Sequence, residues 1–310
     1  MKLLKQFFRY FIFGITLFFL ATTIINNWRS ITSVEFNNYL FLLIFISLIL
    51  NSFAHVFSAW VWTWILALFN CKLGGFSAIK IYLITNISKY IPGNIWHFVG
   101  RVKAIQNQGD SIALGTFPVV LEPLLMAIAS LLITIFSVSL GILEVKFSPF
   151  IFSLLLIFIL IVLMGIHPKF INPVLKKLVI NKGKVETNIQ LNKYPFLPLM
   201  GELFFLLLRG SAFMALMIPF IDLNVILIPQ ILTAFSFAWL IGLIVPGAPG
   251  GLGIFEAVAI ASLDPTIFPR DKIIIVVALF RFSSIVAETL TAYFAWLLYS
   301  LKEKAQQTKG

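Results

Sequence analysis

Four ionisable residues stand alone inside long apolar runs: Glu122 in FPVVLEPLLMA, Arg209 in FFLLLRGSAF, Arg281 in VVALFRFSSI and Glu288 in SSIVAETLTAY. An ionised side chain at the centre of a bilayer costs at least about 2.5–3.5 kcal/mol on insertion scales. Such residues are expected to face a bundle interior, paired with one another or lining a polar path. Arg281 and Glu288 share a helical face but lie about 10 Å apart along the axis. Each should therefore find its partner on another helix. The competing reading is a purely structural salt bridge between spans.

Two further stretches carry groups suited to an anionic ligand. Residues 242 to 258 read GLIVPGAPGGLGIFEAV. Proline removes a backbone donor and glycine raises the entropic cost of helix, so one helix should end near Val245 and another start near Leu252. The new helix would offer free N–H groups and a positive dipole end, which suits a phosphate. Pro246, Pro249, Gly250, Gly251 and Gly253 shape this break, and the glycines allow close approach of a head group. Glu256 either caps the new helix or contacts a cation. The second stretch, ITNISKYIPGNIWHFVGRVKAI at 84–105, sets Lys89, His97, Arg101 and Lys103 around Pro92-Gly93, beside Tyr90 and Trp96. If a helix begins after Gly93, His97 and Arg101 share a face and can hold a lipid phosphate. An ordinary interface of snorkelling lysines and belt aromatics is the other reading. Each break precedes a long helix bearing a buried-looking carboxylate, Glu122 or Glu288. That is the pattern of a transporter with two related halves, although two unrelated loops would also produce it.

The elements that must position these residues follow from composition. Of 310 residues, 60% are hydrophobic and 11% charged, and mean hydropathy is +1.01. Soluble domains carry about 25% charged residues, so the chain is an integral membrane protein. Apolar runs place spans near 9–26, 39–69, 113–140, 150–166, 198–221, 226–246 and 273–300. The expected fold is an all-α polytopic bundle of about seven to eight transmembrane helices with two broken or re-entrant segments. A single domain covers 1–301, followed by a polar cytoplasmic tail, 302–310. Most of the 33 phenylalanines should face lipid or pack. The basic start and first apolar run resemble a signal peptide, but no small-residue cleavage pattern follows, so a retained span is expected.

The net charge of +11 comes from short basic clusters between apolar runs. They form no surface stripe, which argues against nucleic acid and for a positive-inside bias. That bias places the N-terminus, the 70–80 linker, the 167–197 loop and the tail in the cytoplasm. Seven full spans would put the tail outside, so either 247–264 crosses in some form or one span does not. Cys71 is the only cysteine, and His55, His97 and His167 lie far apart. No disulfide framework, metal site or cofactor is expected.

The pair KYIPGNIWHFVGR and PGAPGGLGIFEA, in a polytopic chain of this length, resembles the lysylphosphatidylglycerol synthase transmembrane-region family, also called UPF0104. That family includes the flippase domain of multiple-peptide-resistance proteins. The resemblance rests on Lys89, Tyr90, Pro92 and Gly93 together with Pro246, Pro249, Gly250, Gly251, Gly253 and Glu256. It departs at Phe255, where the family often has arginine; Arg281 or Arg101 would then supply the cation. The resemblance implies movement of a lipid with a phosphate-containing head group between leaflets of a bacterial or archaeal cell membrane. Lysyl transfer by this chain is not expected, because its tail is short. Three readings follow: a lipid translocase, a non-transporting membrane partner of a separate glycosyltransferase or aminoacyl-lipid synthase, and an integral-membrane transferase. The last lacks an acidic cluster in the cytoplasmic loops, so no enzyme is expected. Membrane lipids, anionic or phosphate-linked, are the expected partners. Glu122 and Glu288 are candidate proton carriers.

Overall fold

A computed structural model describes residues 37–91, 94–141, 149–180, 189–245, 251 and 253–307, and every regular element among them is helical. Helix α1 (Asn38–Leu68) starts where the Asn37 side chain accepts from the Leu40 N–H at 2.9 Å, satisfying one free donor of its first turn. It stops where Asn70 turns left-handed, φ +54°. Helix α2 (Gly75–Asn86) runs into a 3-10 turn, Ile87–Tyr90, and α3 (Trp96–Gln106) follows after Asn94, φ +46°. The Lys72 backbone N–H donates to Asp110 at 2.8 Å, and the Lys72 ammonium reaches the Gly109 carbonyl at 3.3 Å. The two ends of the α2–α3 segment therefore meet beside the end of α1. The segment is a re-entrant hairpin that enters and leaves on one face.

Helix α4 (Ile112–Ser139) is capped by Ser111, and it carries Pro118 and Pro123 in its interior. Helices α5 (Pro149–Gly165) and α6 (Pro168–Ile180) follow, with a bend of 62° between their apolar segments. The remaining elements are α7 (Phe196–Met217), α8 (Leu227–Ile244), α9 (Ile254–Ser262) and α10 (Arg270–Gln307).

Side-chain pairs fix the directions. Ser47 and Asn51 bond Ser283, while Ala295 belongs to the same buried cluster as Ala59, Trp62 and Leu66, so α1 and α10 are parallel. Gly201 packs on Val61 and Trp64, and the Asn192 N–H reaches the Leu68 carbonyl at 3.1 Å, so α7 starts where α1 ends. Gly210 meets Leu232 and Phe205 meets Trp239, so α8 runs back along α7. Gly251 and Phe255 return to Gly242, and Phe255 to Phe235, so α9 folds back on α8. The α8–α9 unit is thus a second hairpin, which opens toward the face opposite to the first.

Five helices, α1, α4, α7, α8 and α10, are long and apolar enough to cross a membrane, and the bent α5–α6 pair makes six. These six fall on the spans expected at 39–69, 113–140, 150–166, 198–221, 226–246 and 273–300 among the described residues. The span expected at 9–26 lies outside them, and the one expected at 150–166 is the short α5, which continues through a bend rather than as a straight helix. The fold-back of α9 also removes the parity conflict, because 254–262 returns the chain to the face it left. The ends of α1 and α10 consequently share a face with Lys72, α6 and Lys193. We call this the basic face. Apolar side chains such as Phe41, Phe45, Phe53 and Trp60 are exposed along α1, where the phenylalanines were expected to meet lipid.

Close approach of α1 and α7 requires Gly201. A Cβ there would sit 2.5 Å from Val61 Cγ2 and 3.1 Å from Trp64, and a β-branched side chain on a helix cannot swing away. Gly201→Ala should destabilise the purified protein by about 1–3 kcal/mol. Gly165→Ala, which meets open space, serves as the control, with both read from thermal unfolding in detergent.

Candidate functional site

Residues from both hairpins and the helices around them enclose a cavity of about 320 Å³. Lys89, Asn94, His97 and Arg101 come from the first hairpin, and Gly242, Gly251 and Phe255 from the second. Glu122, Arg209, Arg281 and Glu288 come from α4, α7 and α10, with His55 from α1. The isolated charges and the first broken segment, widely separated in sequence, thus converge on one place.

Glu288 is 2% exposed and gathers three elements. Its Oε1 accepts from Lys89 Nζ at 2.7 Å and its Oε2 from the Tyr90 hydroxyl at 3.0 Å. The Arg209 guanidinium stands 3.8 Å from Oε1. Glu122 forms a second centre. It accepts from Arg101 and, at 2.6 Å, from the Tyr82 hydroxyl, which also bonds Ser58 at 2.7 Å. Asn86 holds the other side of Arg101 at 3.2 Å, and the Tyr82 ring lies 3.7 Å beneath the guanidinium. The third centre joins α10 to the second hairpin. Arg281 donates to Glu256 at 2.5 Å and to the Gly251 carbonyl at 3.0 Å. As expected, Arg281 and Glu288 find partners on other elements. Glu256 takes the cation-binding role rather than capping.

Among the described residues, these four cations are bonded or paired to three carboxylates, and the one carboxylate beside Arg209 is Glu288, whose oxygen Lys89 already holds. Arg209 is boxed instead by Trp239 at 5.0 Å and Phe280 at 5.1 Å, whose ring faces attract a guanidinium. Arg101 Nε, Arg209 Nε and Trp239 Nε1 lack a hydrogen-bond partner among the described residues, although all three side chains line the cavity. Leaving a buried donor unsatisfied costs about 1–3 kcal/mol. A ligand bearing several acceptor oxygens and negative charge would meet these donors.

The second hairpin shows why Phe255 stands where it does. Phe213, Phe235, Phe255 and Phe280 form a four-ring knot with every centroid pair between 5.4 and 6.2 Å. Arg281 lies 4.7 Å over the Phe255 ring. A guanidinium from α10 thus occupies the corner beside Phe255. Gly251 takes φ +71°, and a Cβ there would stand 3.2 Å from the Gly242 carbonyl, so only glycine fits without strain. Helix α9 starts after Gly253, φ +86°, two residues beyond the expected start near Leu252.

Several sequence candidates fall elsewhere. Lys103 points away from the cavity, Trp96 is 41% exposed, and Glu256 lies behind the lining. Pro92, Gly93, Pro246, Pro249 and Gly250 lie outside the described residues. Other site residues escaped the sequence reading. His55 belongs to a buried polar stripe on α1, Ser47, Asn51, His55 and Ser58, whose helical spacing was legible. Tyr82, Asn86 and Trp239 gave no signal within apolar runs. Glu202, fully buried on α7 with both oxygens unpartnered among the described residues, stands in apolar surroundings as Glu122 does but does not line the cavity.

Breaking one partner of a buried ion pair costs more than removing both. Glu122→Leu alone should destabilise by about 3–5 kcal/mol, and adding Arg101→Met should recover part of that loss. The pair is scored as a double-mutant cycle by thermal unfolding in detergent.

No curated protein matches the chain. A family model does, that of the lysylphosphatidylglycerol synthase TM region, over residues 6–292. Its match takes in both hairpins and all but the last part of α10, and the chain belongs to the lysylphosphatidylglycerol synthase TM region family.

Proposed function

We propose that the chain moves a lipid with a phosphate-containing head group between leaflets, either a phospholipid or a polyprenyl-phosphate-linked lipid, without chemical change to it. The observation that carries this reading is the cavity's excess of buried cations and unpartnered donors, set between hairpins that enter from opposite faces. Broken helices meeting at a charged site between the two faces are how secondary transporters expose one site to either side in turn. The basic face is the cytoplasmic one by the positive-inside rule, and the first span expected from the sequence at 9–26 would then put the N-terminus inside. In this reading the head group displaces part of the Lys89–Glu288 and Arg209–Glu288 attraction. Glu122 and Glu288 then become available as proton carriers.

A second reading, a non-transporting partner of a separate lipid-modifying enzyme, draws on α6. There Lys169, Lys176 and Lys177 are exposed beside exposed Phe170 and Val174, a surface fit for anionic lipid or another protein. The cavity favours the first reading, since a scaffold has no use for buried, under-paired cations.

The test is reconstitution in liposomes containing fluorescent phospholipids or polyprenyl-phosphate sugars, followed by a leaflet-accessibility assay. Wild type should move at least one of these lipids and Gly251→Leu should not, with insertion intact. Glu288→Gln should change the rate or its pH dependence. No movement of any candidate lipid by correctly inserted wild type would shift the assignment to the partner role.

A further inference from the structure

Beside the charged cavity lies a larger groove of about 610 Å³ between the returning helix of the first hairpin, α3, and the proline-bearing α4. The two spaces share walls: Phe98 and Pro123 line both. Helix α3 is thereby divided along its length. His97 and Arg101 turn inward to the cavity, whereas Val99 and Val102 turn to the groove, where Val119 and Val120 of α4 face them. Val99 is 49% and Val120 57% exposed, so the apolar wall is open on its outer side. Lys103, Gln106 and Thr116 form its polar end, toward the basic face where α3 ends and α4 begins.

We infer that this groove is the lateral portal of the cavity, and that it holds the hydrocarbon chain of the lipid whose head group occupies the charged site. The inference rests on the function proposed above. An amphiphile bound at a buried charged site must leave its chain somewhere apolar, because a chain drawn into the cavity would desolvate the cations without pairing them. The groove is apolar, adjoins the cavity across the shared walls Phe98 and Pro123, and is open on its outer side. Lys103 and Gln106 give the head group a first polar contact before it passes Phe98 and Pro123. Pro123 suits a passage point. It cannot donate to the Val119 carbonyl, so α4 lacks a rung of its ladder at the wall that the two spaces share.

The test uses phosphatidylglycerol with a photoreactive group on its acyl chain, in nanodiscs, with adducts mapped by peptide mass spectrometry. An equivalent photoreactive polyprenyl phosphate forms the second arm and distinguishes acyl from prenyl chains. Adducts should concentrate on 98–106 and 116–123 with at least one of the two lipids. Val120→Trp and Val99→Trp, both at lipid-facing positions that tolerate bulk, should each reduce adduct yield and lipid movement about tenfold or more, as overfilling an occupied site would. Phe136→Trp, exposed on the same helix outside the groove, should leave both at the wild-type level. Adducts in the groove without lipid movement would uphold the portal and count against translocation. Movement that persists with Val120→Trp and Val99→Trp, or adducts confined to the exposed aromatic face of α1, would overturn the portal.

Discussion

A buried carboxylate sets the arrangement of this protein. Glu288 lies deep in α10, and its burial is tolerable only because Lys89 and Tyr90 from the first hairpin reach it and Arg209 stands close by. The hairpin in turn has no strand or long helix to hold its tip inside the bundle. Its position follows from Glu288 at one end, the Arg101–Glu122–Tyr82 cluster in the middle and the Lys72–Asp110 closure at its base. Such networks are costly to desolvate and rarely the cheapest way to stabilise a fold. A bundle of apolar helices that keeps three of them around one cavity is best understood through what the cavity binds.

The second hairpin meets the same demand by different means. Its tip is held by the aromatic knot around Phe255 and by Arg281, which bridges Glu256 and the Gly251 carbonyl. Packing fixes this hairpin from the side opposite the basic face, while ion pairs fix the first from the basic face. A head group that competes for Lys89, Arg209 or Arg281 would loosen the contacts of one hairpin or the other. The same interactions can therefore hold a closed cavity and release it.

Much of this was legible in the sequence because membrane burial makes polar residues conspicuous. Glu122, Arg209, Arg281 and Glu288 were found by their apolar surroundings alone, and His97 and Arg101 by their helical spacing once a break at Pro92-Gly93 was assumed. The end of α8 at Ile244 and the restart after Gly253 followed from proline and glycine chemistry. The partners were not legible. Which carboxylate receives which cation depends on directions fixed by side-chain packing, such as Gly201 on Val61 and Gly210 on Leu232. Tyr82, Asn86 and Trp239 are ordinary residues in apolar runs, and only tertiary contact gives them a role. Two details of path were also hidden: α9 is too short to announce itself as a returning element, and α5 continues through a bend.

The central claim is that the cavity binds a phosphate-bearing head group rather than merely hosting internal salt bridges. It is tested most directly by the thermal stability of the purified protein in detergent, titrated with phosphatidylglycerol or with diacylglycerol of the same chains. A ligand that binds the folded state raises its stability in proportion to its affinity. The phosphate lipid should raise the unfolding temperature with dose, the neutral lipid should not, and Arg209→Gln should lose the difference. Equal shifts from both lipids, unchanged in Arg209→Gln, would mean that the buried charges serve only one another.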